Sequence, residues 1–343
     1  MKSLYNVLDA FINPASDHTI EAFGSGLIHH TYVVKKGEKK VFILQEVNHT
    51  VFKWPDNIAD NIDALSSWLK KTNSDTILPS PLQTKNGQQY YLMDGAYYRL
   101  IPFVENTHSI NVCNFPEQAY EASKQFGNFT ASFNGFPVEN LKTTIVGFHD
   151  LVFRWKQFRE SLTLGNTERI KASAPIIAAL EDDYTIVSFY EKILNARSFL
   201  SRVTHHDTKI SNVLFNSNQK GVCVIDLDTV MPGFFISDLG DMFRTYLSPA
   251  NEEEKDMQLV EVRSDFYQAI IEGYKEKMAD QMSTDEIHHL NYAGEFMIYM
   301  QALRFFTDYL NNDVYYNISY PDNNLTRTKN QLKLLKSFRG IIA

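Results

Sequence analysis

The residues best placed to do chemistry lie in two short stretches. The first is Thr204-His205-His206-Asp207-Thr208-Lys209-Ile210-Ser211-Asn212, and the second is Val224-Ile225-Asp226-Leu227-Asp228-Thr229. Asn212 follows Asp207 by five positions, and Asp226 follows Asn212 by fourteen. The short apolar runs 213–216 and 221–226 between them read as a hairpin, which returns Asp226 to the mouth where Asn212 sits. An amide oxygen and a carboxylate are hard donors suited to Mg2+, a metal usually shared with substrate phosphates. A further carboxylate beside them, off the metal, can orient a hydroxyl and take its proton. H-x-D-x-x-x-x-N followed by an Asp on the next hairpin is the layout of phosphoryl transfer, where positioning and charge neutralisation supply most of the rate.

The elements that must hold these residues come in two blocks. The first hundred residues are rich in turns and strands. Val33-Val34 and Val41-Phe42-Ile43-Leu44 flank the charged tip Lys35–Lys40, a hairpin whose lysines are solvated. Ile58, Ile62, Leu65 and Leu69 predict an amphipathic helix over 56–71 with Asp56 as its N-cap. Strands are expected at 89–93 and 97–103, the latter ended by Pro102. From about residue 115 helices dominate, with patterns near 149–162, 175–200, 256–279 and 284–309. A cleft between a small sheet and a larger helical part is where a ligand is expected.

Composition narrows the function classes. The chain has 343 residues, 44% of them hydrophobic and 22% charged, so it can build an ample core. Its 33 Lys and Arg against 41 Asp and Glu give a net charge of −8, which argues against nucleic acid or an anionic membrane as partner. Two cysteines, Cys113 and Cys223, make neither a disulfide framework nor a zinc site, and Cys223 in Val222-Cys223-Val224-Ile225 reads as a core thiol. No apolar run approaches the roughly 20 residues that span a bilayer, and the N-terminus reads as a short amphipathic helix and not as a signal peptide. A cytoplasmic protein is the expectation.

At this point the chain resembles a known group, the aminoglycoside phosphotransferase/choline kinase superfamily, and within it the N-acetylhexosamine 1-kinases. The resemblance runs through Gly24-Ser25-Gly26-Leu27-Ile28-His29-His30-Thr31-Tyr32, Ile43–Asn48, Arg202–Lys209, Ile225-Asp226-Leu227-Asp228-Thr229-Val230-Met231-Pro232-Gly233, Asp238–Asp241, Leu303–Leu310 and Asp313–Tyr316. It implies an α+β, two-lobed protein-kinase-like fold with a small antiparallel-sheet N-lobe (1–100), a hinge (101–105) and a larger, mainly helical C-lobe (106–343). It also implies ATP-dependent phosphorylation of the C1 hydroxyl of an N-acetylhexosamine, with Mg2+ as cofactor and ATP and a small amino sugar as partners.

The roles implied are specific. Asp207 is the catalytic base, and Asn212 and Asp226 are Mg2+ ligands. Asp228 either ligates metal or holds a sugar hydroxyl. Lys209 is a candidate for neutralising the γ-phosphate. The turn carrying Gly24 and Gly26 covers the phosphates, and the backbone of Ile101 and Phe103 in the hinge meets adenine. His30, Arg304 and Tyr315 are sugar contacts, with Tyr309, Tyr316 and His206 as further candidates. Read without the resemblance, Arg304 and Asp308 form an ordinary i,i+4 ion pair, and Asp238 and Asp241 support the helix after the metal loop. One departure stands out: Gln45 occupies the third-strand position where kinase-like folds usually carry a phosphate-binding lysine, leaving Lys53 or Mg2+ to compensate. Two other readings stay open: a kinase of the same fold acting on an aminoglycoside, choline or homoserine, and a nucleotide- or sugar-binding module without catalysis.

Overall fold

The structure is a computed structural model that describes residues 2–24 and 28–342; Gly26 of the expected phosphate turn lies outside them. After α1 (Lys2–Asp9), the strands β1 (Thr19–Ala22), β2 (His30–Lys36), β3 (Lys39–Val47), β4 (Tyr91–Met93) and β5 (Ala96–Pro102) form an antiparallel sheet of order β1-β2-β3-β5-β4. The β2–β3 hairpin turns at Gly37, whose φ of +60° suits a residue without a Cβ. Val7, Leu8 and Phe11 of and after α1 close one face of the sheet against Val34, Leu44 and Leu100.

Helix α2 (Pro55–Lys71) follows β3 and buries Ile58, Ile62, Leu65 and Leu69, as the periodicity predicts. Its start differs from expectation. Pro55 takes the first helical position, where its missing N–H costs nothing, so Asp56 falls in the first turn and Trp54 is the N-cap.

Past Pro102 the chain changes character. Strand β6 (Thr107–Ser109) is followed by α3 (Pro116–Ser132), α4 (Leu151–Leu164), α5 (Thr167–Ala172), α6 (Ala174–Asp182) and α7 (Tyr184–Asn195). Then come β7 (Arg202–Thr204), β8 (Val213–Asn216), β9 (Gly221–Val224) and β10 (Met231–Gly233). The helices α8 (Phe235–Tyr246), α9 (Ser264–Met278), α10 (Thr284–His288), α11 (Leu290–Leu310) and α12 (Asn323–Ile342) complete the region. Two small antiparallel sheets, β6-β8-β9 and β10-β7, are set among the helices.

Helix α11 is buried along most of its length and forms the spine of the main core. Gly240 lets α8 approach it closely, since a Cβ there would lie 2.2 Å from the carbonyl oxygen of Ala293. The apolar run 175–200 divides into α6 and α7 at Asp183, and helix over 256–279 begins only at Ser264. Cys113 and Cys223 are both buried, and burial pushes both thiols up to about 12. Among the described residues no helix is long and apolar enough to cross a membrane.

Candidate active site

The loop after β7 is held by its backbone. Asp238 in the first turn of α8 accepts the N–H groups of His205 and His206 at 3.0 and 2.7 Å, and Asp241 accepts that of Thr208 at 2.8 Å. Thr229 Oγ1 donates to the carbonyl of His205 at 2.7 Å, and Tyr246 donates to that of Thr208. The two α8 aspartates thus hold the loop as well as their helix. Burial raises the Asp238 carboxyl to about 6. His206 adopts a left-handed backbone (φ +66°), and its ring Nδ1 shares a hydrogen bond with Ser237 Oγ at 2.7 Å.

This bracing presents Asp207, Lys209 and Asn212 together. Asp207 Oδ2 accepts from Lys209 Nζ at 2.9 Å and from Asn212 Nδ2 at 3.0 Å. Burial pushes the Asp207 carboxyl up, yet the Lys209 charge and the two donated hydrogen bonds bring it below the ordinary carboxylate range. Asn212 Nδ2 also donates to the Asp207 carbonyl at 2.9 Å, so its Oδ1 is turned away and, with no hydrogen bond among the described residues, is open as a ligand to a cation. Asp226 stands across the β8–β9 hairpin, where the Ile225 N–H closes the mouth onto the Asn212 carbonyl at 2.8 Å. Its backbone is left-handed (φ +64°), and Lys209 Nζ lies 3.9 Å from its carboxylate. Burial, then the Asp228 charge, raise the Asp226 carboxyl above its ordinary value. An open amide oxygen and a carboxylate with one distant cation fit a divalent metal, which would neutralise phosphate charge there.

Asp228 is placed differently. Its side chain is 1% exposed, and both oxygens are occupied: Arg99 Nη1 and Nη2 grip one each, the latter at 2.9 Å, and His29 Nε2 meets Oδ2 at 2.6 Å. Arg99 and holding hydrogen bonds keep the Asp228 carboxyl well below the usual range in spite of burial. The Arg99 Nε donates to Gln45 Oε1 at 3.0 Å. Arg99 and His29 were not anticipated; the one sequence signal was a charged residue within the apolar strand Tyr98-Arg99-Leu100-Ile101. The expected His30 is exposed on β2, and its neighbour His29 turns inward to Asp228 instead.

A cleft of about 420 Å3 opens between the sheet and the hairpin mouth. Gln45, Arg99, Ile101, Phe103, Asn212 and Asp226 all line it. The Phe103 N–H donates to Val41 at 3.0 Å, so by strand alternation the backbone of Phe103 and Ile101 faces β3. The Pro102 carbonyl faces the opposite edge, and the Val104 N–H makes no hydrogen bond among the described residues. Those two groups are the ones available to a planar base. Gly24, with φ +79°, precedes the undescribed part of the turn.

A second cavity of about 200 Å3 lies between α4, α11 and the loop after α11. Arg154, Arg304, Tyr315 and Tyr316 line it. The Arg304 guanidinium sits over the rings of Phe148 and Tyr316, 5.4 and 5.6 Å from their centroids. The Phe148 ring also lies 6.4 Å from that of His206, the residue before Asp207. The i,i+4 ion pair between Arg304 and Asp308 does not form. Asp308 instead accepts the backbone N–H groups of Val314, Tyr315 and Tyr316 at 2.8–3.0 Å, and Asn324 Nδ2 at 2.9 Å. Tyr315, 63% exposed, stands at the rim.

The sequence pattern of APH, the phosphotransferase enzyme family, matches residues 19–276. The chain belongs to this family. Solved structures with the same fold include a microcompartment-associated aminopropanol kinase (14% identity, 99% of this chain and 97% of that one, TM-score 0.65). They also include choline kinase from Cryptosporidium parvum Iowa II (14% identity, 99% and 97%, TM-score 0.61). An amicoumacin kinase solved with AMP-PNP and Ca2+ is similar as well (11% identity, 98% and 92%, TM-score 0.63). The α+β protein-kinase-like fold is therefore shown, and the chain is a member of a phosphotransferase family.

Proposed function

We propose that this family member transfers the γ-phosphoryl group of ATP to the C1 hydroxyl of an N-acetylhexosamine, GlcNAc or GalNAc, and releases ADP and the sugar 1-phosphate. In the transfer, the hydroxyl oxygen forms a bond to the γ-phosphorus while the bond to the β,γ-bridging oxygen breaks. Asp207 orients the hydroxyl and receives its proton. Asn212 Oδ1 and Asp226 would hold Mg2+, which when bound supplies positive charge to the phosphates. Lys209, between Asp207 and Asp226, adds a second positive charge at the same place. The Pro102 carbonyl and Val104 N–H offer an acceptor and a donor, the complement of the adenine N6 and N1 edge.

The observation that carries the acceptor assignment is the use of Asp308. A cationic acceptor needs an acidic, aromatic pocket, but the Asp308 carboxylate lining this cavity shares it with the Arg154 and Arg304 guanidinium groups, and its oxygens are held by three backbone N–H groups and an amide. What remains are guanidinium, phenol and amide groups, which suit the hydroxyl and acetamide oxygens of a neutral sugar. The resemblance of the Ile225–Gly233 and Leu303–Leu310 segments to the N-acetylhexosamine 1-kinases supports the same choice.

The test is a panel of acceptors with ATP and Mg2+: N-acetylglucosamine, N-acetylgalactosamine, glucosamine, galactose, choline and kanamycin, read as ADP release. Release stimulated by the acetylated sugars is expected. Stimulation by choline or kanamycin alone defeats the assignment, and ATP binding without turnover on any acceptor points to a binding module.

A further inference from the structure

Two carboxylates two residues apart, Asp226 and Asp228, face the same cleft mouth, and with His29 they bring ligand atoms within 4.8 Å of one another. Their hydrogen bonds divide them. The Asn48 N–H donates to His29 Nδ1 at 3.0 Å, so the ring proton is on Nε2, which donates to Asp228. That imidazole has no lone pair left for a metal. Asp228 has each oxygen held by Arg99, and one also by His29. Of the three, Asp226 is the one whose carboxylate accepts no hydrogen bond among the described residues, whereas Asp228 has three of its roughly four acceptor sites in use.

We propose that Arg99 is a positioning residue that latches the metal loop to the N-terminal sheet: by gripping both oxygens of Asp228 it aims Asp226 at the cation. Arg99 is 2% exposed and comes from β5, while Asp228 lies 129 residues on, in the turn that follows Asp226. The left-handed backbone of Asp226 is a sparsely populated conformation that its surroundings must hold, and Asp228 is the anchored point just beyond it.

The latch also accounts for Gln45. Gln45 and Arg99 are register partners on adjacent strands, so their side chains share a face. Gln45 Oε1 accepts the Arg99 Nε–H, and its Nε2 donates to Thr31 Oγ1 at 3.2 Å. A lysine at position 45 would set a second cation against Arg99 and remove the acceptor of Nε. The cation of this sheet therefore resides on β5, and it acts through Asp228.

The proposal rests on a divalent cation at Asp226 and not on the identity of the acceptor, so its test uses no sugar. Binding of a methylanthraniloyl derivative of AMP-PNP is measured without metal and then with Mg2+ titrated in. In the Arg99→Met/Asp228→Leu double variant, which removes both buried charges together, the Mg2+ concentration for half-saturation, read against the variant's own metal-free affinity, should rise about tenfold or more. Arg99→Lys, which keeps the charge but loses the two-oxygen grip, should fold like the parent and raise that concentration about threefold to tenfold. If the double variant fails to fold, Arg99→Lys decides alone. A parent-like Mg2+ requirement in the folded variants overturns the proposal. So does a loss of metal-free nucleotide affinity with the Mg2+ requirement unchanged, which would put Arg99 on the phosphates themselves.

Discussion

Asp207 carries its two donated side-chain hydrogen bonds on one oxygen, Oδ2, and its Oδ1 makes none among the described residues. The free oxygen is the one that can meet an acceptor hydroxyl. Because Lys209 and Asn212 hold the carboxyl below its ordinary range, Asp207 is a weak base. It suits a loose transition state in which the hydroxyl is aligned first and its proton leaves late. Asp207→Asn keeps the shape and loses the charge. Turnover should fall by about 10²–10⁴ while nucleotide affinity changes by about threefold or less. Near-parental ADP release from that variant would remove Asp207 from the mechanism.

The loop after α11 is the element that shapes the proposed acceptor cavity, and one side chain from the helix folds it. Asp308 was legible as a partner of Arg304, because the two share a helical face. Three converging N–H groups of the 314–316 backbone outcompete a single guanidinium for the carboxylate, which helical spacing alone does not reveal. Asp308→Ala should raise the acceptor KM by about tenfold or more, leave the ATP KM within about threefold, and lower stability by roughly 2–3 kcal/mol, as expected for lost charge-assisted hydrogen bonds. An unchanged acceptor KM would separate this loop from substrate binding. The contrast with the catalytic loop is instructive. Asp207, Lys209 and Asn212 lie within six residues of sequence, so their grouping was readable from spacing. Arg99 and His29 reach Asp228 across 129 and 199 residues, and only the folding of the sheet onto the hairpin mouth brings them there. The helix α2 was legible for the opposite reason, since its apolar period is strong, whereas the weakly patterned α12 was not anticipated.

At the scale of the molecule, buried histidines and carboxyls set the response to acid. Burial pushes His206 down to about 3 and His149 well below its ordinary value, so both are neutral in the fold. Each contributes stability that is full above the unfolded value of about 6.5 and is lost as pH falls below it. Asp238, raised to about 6, works the other way: its contribution is present below the unfolded carboxyl value and is lost as pH rises toward 6. Asp226, also raised by burial, works with Asp238 and reduces the fall, so the histidine contribution is the part lost between about pH 6.5 and 5. Melting temperature should fall across that interval. His206→Asn, which tolerates the left-handed backbone, should flatten the fall; a level profile in the parent would contradict the assignment. The two cysteines have a practical corollary. With both native sulfurs sequestered and reluctant to ionise, a single cysteine engineered onto the rim beside Tyr315 would be the sole reactive thiol of the folded chain. A fluorophore attached there could report acceptor binding without any prior removal of the wild-type pair.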